Sequence, residues 1–385
     1  MYVIQNGTLY TMDGQGVIQA DLRVDNGKIT EIGPNLSTEG AQVIDAAGKC
    51  VTPGFVDAHS HVGGIMGSGP NQEDLNEITN PLTPELDAYY GINPRDEIFD
   101  TVIRQGITTS CVAPGSANVV CGWVVAYKSA GKDRLVRRPV AMKAAMGINP
   151  KGCYSPRNQA PMTRMAIANI MRTYLRNVKE YMQKKADAGD DPAKLPPYDL
   201  GLEHGIPVLE KKIPLKVHSY MHDMMTLLEI AKEFDILVTV DHAQGASDFL
   251  EELNDPHIHG VIFGPTCEPL FPGEGGKLDY ECCKGLDDEG VSVAVMTDGP
   301  VTTVNMLLFE MGECVRRGMD PVRALAMVTS NAAKIVGVSD RVGSLTVGKD
   351  ADILIWSKMP TVATDAILEQ VIIDGETVYR EGSAS

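Results

Sequence analysis

Four histidines and one aspartate stand at the ends of apolar runs in this sequence. His59 and His61 close the run PGFVDAHSH, His218 closes LKVHS, His242 closes ILVTVDH, and Asp298 closes VSVAVMTD. Residues two apart on a strand project to the same face, so His59 and His61 are expected to point together. Imidazole nitrogens and carboxylates are ligands for divalent transition metals. We therefore predict a metal site made by these five residues.

Lys143 lies inside another apolar run, VAMKAAM. Burial of an ammonium group is unfavourable and lowers its pKa, which leaves a reactive neutral amine. Such an amine combines with CO2 to form a carbamate, an anion able to bridge two metal ions. The alternative is a Lys143 that pairs with a nearby acid or extends outward, and the sequence leaves both open.

Substrate-binding candidates lie close to these runs. Tyr220 and His222 follow His218, and Arg157 and Arg164 follow the run that contains Lys143. An arginine can bind a substrate carboxylate through two parallel hydrogen bonds. Residues 63–94, which follow the first run, are rich in Gly, Pro and acidic residues and are predicted to form a lid or specificity loop. Further candidates there are Tyr89, Tyr90 and Arg95.

Short β-branched runs alternate with helical stretches through the middle of the chain, which predicts βα units and a parallel sheet. Eight such runs in about 250 residues match a (β/α)8 TIM barrel, whose active sites lie at the carboxyl ends of the strands. The predicted strands are Val51–Ala58, Ile107–Ala113, Val119–Tyr127, Pro139–Met146, Pro214–His218, Ile236–Asp241, Ile258–Gly264 and Val291–Thr297. The link over 128–138 is barely long enough for a parallel crossover, so a hairpin is the alternative there.

Both ends of the chain are rich in short strands. Turns are predicted at Asn6-Gly7, Asn26-Gly27 and Asp374-Gly375, because these dipeptides between apolar residues favour tight hairpins. We predict an α/β protein in which residues 1–52 and 341–385 form one small β-sandwich domain. Residues 53–340 then form the barrel.

The chain has 385 residues, with 34 Lys and Arg against 51 Asp and Glu, a formal charge of −17. An acidic surface repels phosphate backbones, so we expect neither a nucleic-acid partner nor a membrane partner. The eight cysteines form no CxxC pair and are expected to be reduced, which favours a cytoplasmic location. A small-molecule substrate and a homo-oligomer are expected.

With these residues assembled, the chain resembles the amidohydrolase superfamily, and most closely its imidazolonepropionase-like branch. The resemblance rests on PGFVDAHSH near the start, VGSLTVGKDADILIW near the end, and GITTSCVAPGS, LKVHSY, VTVDHA and VMTDGP between them. It implies metal ligation by His59, His61, His218 and Asp298, with His242 at a second metal or at the transition state. It also implies that a carbamylated Lys143 bridges two metals where two are bound. Met221 stands where imidazolonepropionases carry a Glu, which disfavours their substrate.

The resemblance implies hydrolysis of a C–N bond in a small amide or cyclic amide by metal-activated water. Zinc is the first candidate metal, iron and manganese are the alternatives, and the number of ions is one or two. Rival activities are those of a two-metal dipeptidase or N-acyl amino-acid hydrolase, and of a heterocycle deaminase. A catalytically silent scaffold is disfavoured because the ligand set is complete.

Overall fold

The computed structural model of the protein describes residues 1–65, 74–266 and 279–382. Within them the strands are β1 (Tyr2–Tyr10), β2 (Val17–Asp25), β3 (Lys28–Gly33), β4 (Gln42–Asp45), β5 (Cys50–Pro53), β6 (Phe55–Ser60), β7 (Ile107–Val112), β8 (Val120–Lys128), β9 (Leu135–Ala145), β10 (Leu215–Ser219), β11 (Val238–His242), β12 (Ile258–Phe263), β13 (Val293–Val295), β14 (Ile353–Trp356), β15 (Leu368–Ile373) and β16 (Glu376–Arg380).

The α-helices of the described residues lie mostly between the strands of the middle region. They are α1 (Ile98–Arg104), α2 (Ile148–Tyr154), α3 (Arg164–Ala188), α4 (Leu200–Leu209), α5 (Asp223–Phe234), α6 (Leu250–Leu253), α7 (Glu281–Asp288), α8 (Leu307–Arg316), α9 (Pro321–Ala326) and α10 (Ser330–Val336). The longest of them, α3, begins after Thr163, whose hydroxyl accepts a hydrogen bond from the Ala166 amide, and ends at Gly189.

Strands β6 to β13 form one eight-stranded sheet in chain order, so the predicted barrel is confirmed for the described residues. The expectation of eight parallel strands is wrong at β8, which pairs antiparallel with both β7 and β9. The connection from β8 to β9 spans only residues 129–134, which is too short for a helical crossover and closes as a hairpin. The hairpin that the sequence left open as an alternative is therefore the one that forms.

Strands β13 and β6 close the barrel without forming a regular ladder. The seam is joined by the Asp298 amide, which donates to the His59 carbonyl at 3.1 Å, and by the His61 amide, which donates to Gly299 at 2.7 Å. Asp57 adds a side-chain link, because its carboxylate accepts from the hydroxyl and the amide of Thr297. The two strand ends that carry His59, His61 and Asp298 are thus fastened directly to each other.

A second eight-stranded sheet combines strands from both chain ends, in the order β16-β15-β14-β5-β1-β2-β3 with β4 also paired to β1. Asn26-Gly27 and Asp374-Gly375 form the tight turns between β2 and β3 and between β15 and β16, both with positive φ. The turn predicted at Asn6-Gly7 is wrong, because this dipeptide is an irregularity inside β1. The predicted sandwich arrangement and the exact domain boundaries stay predictions.

A single residue, Gly54, separates the end sheet from the barrel. A Cβ at this position would lie 2.1 Å from the Thr108 hydroxyl oxygen, so only glycine permits this approach of β6 to β7. The cysteines in the described part of the chain are all unpaired, and Cys267 lies outside it. No helix of the described ranges is both long and apolar enough to cross a bilayer.

Candidate metal centre

The barrel strands bring the predicted ligands together at their carboxyl ends. His59 lies near the end of β6, His61 just beyond it, and His218 and His242 at the ends of β10 and β11. Asp298 follows β13. Each side chain is buried because the strands behind them are apolar runs that pack into the barrel core.

His59, His61 and Asp298 form the tightest group. Their ligand atoms all lie within 4.8 Å of one another. Asp298 Oδ1 is 3.2 Å from His61 Nε2 and 3.4 Å from His59 Nε2. Two imidazole nitrogens and a carboxylate oxygen facing one point form a donor set suited to a divalent cation.

The other ring nitrogens of these two histidines are already engaged. His61 Nδ1 contacts the Ala113 carbonyl at 2.7 Å, and His59 Nδ1 contacts Asp241 Oδ2 at 2.5 Å. A carbonyl and an ionised carboxylate only accept hydrogen bonds, so both Nδ1 atoms carry the hydrogen. Both Nε2 lone pairs are therefore directed to Asp298, the orientation that metal-binding histidines require.

His218 and His242 form a second group, with ring centroids 4.0 Å apart. All four of their ring nitrogens are buried and have no hydrogen-bond partner among the described residues. Buried polar atoms are rarely left unpaired, because each costs about 1–3 kcal/mol. These orphaned nitrogens fit a site that holds a cation. The His59 ring, 5.3 Å from His242, connects the two groups.

Burial favours the neutral form of three of these histidines, which is the form that binds metals. Burial, and after it the neighbouring Lys143, holds the pKa of His59 well below its ordinary value. The same two causes lower the pKa of His218 to about 3. Burial is also the main reason that the pKa of His242 is well below its ordinary value, followed by the proximity of His218.

The backbone is strained where it presents two of these side chains. His242 has φ of 71° and Asp298 has φ of 54°, the left-handed region that residues other than glycine adopt at a cost of about 1 kcal/mol or more. Neither position is a tight hairpin turn. The strain turns the chain at the strand end, so that each side chain is held among the other ligands.

Lys143 is fully buried on β9 and belongs to the same cluster, with Nζ 3.1 Å from His59 Nε2. Burial lowers the pKa of Lys143. Among the described residues no carboxylate lies within ion-pair distance of its amine. The buried side chain does not extend outward, which removes one of the alternatives that the sequence left open, and the role of the amine stays a prediction.

The predicted substrate-binding residues are spread over a wider area. Tyr220 lies against the site, with its ring 4.8 Å from that of His218 and 5.4 Å from that of His242. His222 is exposed before α5. Arg157 donates to the Ile78 carbonyl at 2.7 Å, and Arg164 donates to Asp223 at 2.8 Å. Their roles toward a substrate stay predictions.

Sequence reasoning missed two charged residues of this centre, Lys216 and Asp241. Lys216 Nζ lies 2.7 Å from Asp241 Oδ2, and both side chains are buried. Each stood beside a predicted ligand, two residues before His218 and one before His242. Both are charged residues inside apolar runs, a pattern that could have identified them. The sequence analysis used this pattern only for Lys143.

Part of the predicted lid, residues 66–73, lies outside the described residues. The described part packs along β8, with backbone hydrogen bonds from Thr83 to Val120 and from Trp123 to Leu86. A cavity of about 560 Å³ opens beside it. Its wall includes Pro114 and Asn118, and none of the predicted ligands lines it.

Comparison with known proteins identifies relatives of this chain. The sequence profile of the Amidohydrolase family matches residues 280–378. The crystal structure of an amidohydrolase from Thermotoga maritima MSB8 is 35% identical, with a TM-score of 0.92, and the match covers 99% of this chain and 100% of that one.

Two curated proteins are similar at lower identity. Imidazolonepropionase of Paracoccus denitrificans is 26% identical over 98% of this chain and 100% of its own length. Amidohydrolase tasK of Hapsidospora irregularis is 26% identical over 93% of this chain, which spans 40% of the length of tasK. The chain therefore belongs to the amidohydrolase family, in its imidazolonepropionase-like branch, and is a metal-dependent hydrolase of C–N bonds.

Proposed function

We propose that the protein hydrolyses the amide bond of a small acylated amino compound, such as an N-acyl amino acid or a dipeptide, at a centre for two divalent cations. The observation that carries the proposal is the position of the Lys143 amine. It lies beside His59, which connects the two donor groups, and meets no carboxylate of the described residues.

The donor set fits two cations. His59, His61 and Asp298 would hold one, and His218 and His242, whose ring nitrogens are otherwise unpartnered, would hold the other. A carbamate on Lys143 would place an anion between them. Bound cations would lower the pKa of a water molecule and polarise a substrate carbonyl. Nitrogen-rich donor sets favour zinc, with iron or manganese as alternatives.

Asp298 is the proposed proton carrier. Its Oδ1 lies beside both Nε2 atoms, and its backbone is fastened to His59. The carboxylate accepts a proton from the attacking water while the water oxygen bonds to the carbonyl carbon. The same proton then passes to the leaving nitrogen as the C–N bond breaks. Tyr220, whose ring lies 5.4 Å from that of His242, would contact the polarised carbonyl.

A second candidate is the hydrolysis of a cyclic amide. It is favoured by the similarity to imidazolonepropionase, which extends over nearly the whole chain. Those enzymes carry a Glu at the position of Met221. This difference indicates that the cyclic amide hydrolysed here is not the substrate of imidazolonepropionase. Deamination of a heterocycle is the third candidate, and the substrate panel must distinguish it from the two kinds of amide hydrolysis.

The proposed substrate is a small molecule, because the ligands are buried at the ends of the barrel strands. A chain with a net charge of −17 is not suited to nucleic acid or to an anionic membrane. Assembly into a homo-oligomer and a cytoplasmic location are part of the proposal.

The test combines metal analysis with a substrate panel. Protein loaded with zinc or manganese is assayed for metal per chain and for turnover of N-acyl amino acids, dipeptides, lactams and aminated purines. We expect about two ions per chain and turnover of acyl-amides. Asp298→Asn should lower kcat by about 10²–10⁴, the usual contribution of a general acid–base residue.

The matched control is Asp352→Asn, which alters an equally buried aspartate in the end sheet, far along the chain from the ligands. It should keep the wild-type turnover. Full turnover by metal-loaded Asp298→Asn would exclude the proposed mechanism. Turnover of lactams alone would replace the first candidate by the second.

A further inference from the structure

A buried ion pair lies directly behind His59. Lys216 Nζ is 2.7 Å from Asp241 Oδ2, and the exposed fractions of the two side chains are 3% and 0%. The other carboxylate oxygen, Asp241 Oδ1, accepts from the Thr239 hydroxyl at 2.7 Å. Both oxygens of Asp241 are therefore engaged, and the carboxylate is fixed in place from β10 and β11.

His59 reaches across the barrel from β6 to this carboxylate through Nδ1. Because Asp241 only accepts hydrogen bonds when ionised, the contact selects the tautomer with hydrogen on Nδ1. The lone pair is then on Nε2, the atom that faces Asp298 and Lys143. Without Asp241, the carboxylate of Asp298, 3.4 Å from Nε2, would favour the opposite tautomer, with hydrogen on Nε2.

Lys216 contributes twice to this arrangement. It balances the charge of Asp241, and it donates a second hydrogen bond to the Ala58 carbonyl at 2.9 Å. Ala58 precedes His59 on β6, so Lys216 fixes both the carboxylate that contacts the His59 ring and the backbone that carries the ring. A buried ion pair adds little stability by itself, so retention of two charges in the barrel points to a role at the neighbouring site.

We propose that Asp241 and Lys216 are positioning residues that hold His59 as an Nε2 ligand for a divalent cation. The inference rests on the proposed metal centre but does not depend on which amide is hydrolysed. Hydrogen-bonded carboxylates behind a ligating histidine fix its orientation and raise its basicity, and their loss lowers metal affinity by about 10–100-fold.

The experiment measures metal affinity rather than turnover. The full-length wild type, Asp241→Asn and Lys216→Gln are titrated with Co(II) and Zn(II) in competition with a chromophoric chelator, and the visible spectrum of the Co(II) form is recorded. We expect Asp241→Asn to bind both ions about 10–100-fold more weakly and to shift the Co(II) spectrum. Lys216→Gln should also weaken metal binding and shift the Co(II) spectrum in the same direction as Asp241→Asn.

The chain offers a matched control between the barrel and the end sheet, where Lys128 Nζ lies 3.0 Å from Asp352 Oδ1. This pair is equally buried but touches no ligand, so Asp352→Asn should leave both the metal affinity and the Co(II) spectrum of the wild type unchanged. If Asp241→Asn also leaves both unchanged, the Lys216–Asp241 pair is only structural and the inference is overturned.

A measurement on the wild type keeps the inference testable if Asp241→Asn does not fold. Nitrogen-15 NMR of the histidine rings in the full chain, before and after metal removal, should find His59 with hydrogen on Nδ1. Hydrogen on Nε2 in the metal-free protein would overturn the inference. A protein with the expected tautomer and affinities that cleaves no amide would refute the proposed function and leave this inference standing.

Discussion

Lys143 and Lys216 occupy paired positions on the neighbouring strands β9 and β10 and are both buried, yet they have different partners. Lys216 contacts Asp241, whereas Lys143 contacts the Nε2 atom of His59. The same residue type in the same register therefore has two roles. One lysine is paired with a carboxylate, and the other contacts a histidine ring.

This difference predicts which lysine reacts with CO2. Burial lowers the pKa of Lys143, so more of its amine is in the neutral form that attacks CO2. We expect ¹³C NMR of metal-loaded protein in ¹³C-bicarbonate to show one carbamate resonance. The resonance should vanish in Lys143→Gln, together with about half of the bound metal, and remain in Lys216→Gln. A resonance that survives Lys143→Gln would contradict the assignment.

Metal removal is predicted to destabilise the fold, because the ring nitrogens of His218 and His242 lose their partner. A ligand present at about 1,000 times its Kd stabilises the folded state by about 4 kcal/mol. Excess chelator should therefore lower Tm by several degrees in the wild type and by less in His218→Gln or His242→Gln. His204→Gln, which alters a buried histidine stacked on Trp123, is the control and should respond like the wild type. Equal chelator effects in all variants would argue against metal at the second group.

Glu310 predicts a pH dependence of stability. It is buried on α8, where its carboxyl accepts from the amide and hydroxyl of Thr266, and burial raises its pKa to about 7 from an ordinary value of 4.5. Between these values the folded state retains a proton that the unfolded state releases. The free energy of unfolding should therefore fall as pH rises from about 4.5 to 7, by roughly 3 kcal/mol.

Denaturant titrations at several pH values measure this slope. The difference in unfolding free energy between wild type and Glu310→Gln should change by roughly that amount across the range and stay constant above it. For Glu289→Gln, at an exposed position, the unfolding free energy should differ from that of the wild type by the same amount at every pH. If the difference between Glu310→Gln and the wild type is also constant across pH, Glu310 does not retain a proton in the folded state.

Lys128 is predicted to be the main electrostatic link between the barrel and the end sheet. It is fully buried on β8, and its Nζ contacts Asp350, Asp352 and Asp374. Lys128→Met would leave buried carboxylates without this cation, and the loss of one partner of a buried pair costs about 3–5 kcal/mol. Lys132→Met, at an exposed position of the same hairpin, should change stability by less than about 0.5 kcal/mol. Equal unfolding midpoints in denaturant for the two variants would contradict this role.

The predictions from sequence were right where a property is local. Apolar runs marked all eight barrel strands, and Asn26-Gly27 and Asp374-Gly375 marked hairpin turns, because chain direction and burial leave their pattern in neighbouring residues. The candidate ligands could be located for the same reason, since each closes a buried strand, and their role as ligands stays a prediction. Asn6-Gly7 misled because Asn6 adopts positive φ at an irregularity inside β1, as it would in a hairpin turn, and local sequence does not separate the two.

Other features depend on which strands meet, and those only the tertiary structure decided. The direction of β8 follows from pairing on both sides, although its short connection to β9 gave a hint. Lys143 and Lys216 are alike in sequence, and their roles separate only because Asp241 on β11 lies next to one of them. The contact between His59 and Asp241 joins residues 182 positions apart. Local patterns report whether a side chain is buried, but its partner across the barrel is a long-range contact that follows from closure of the sheet.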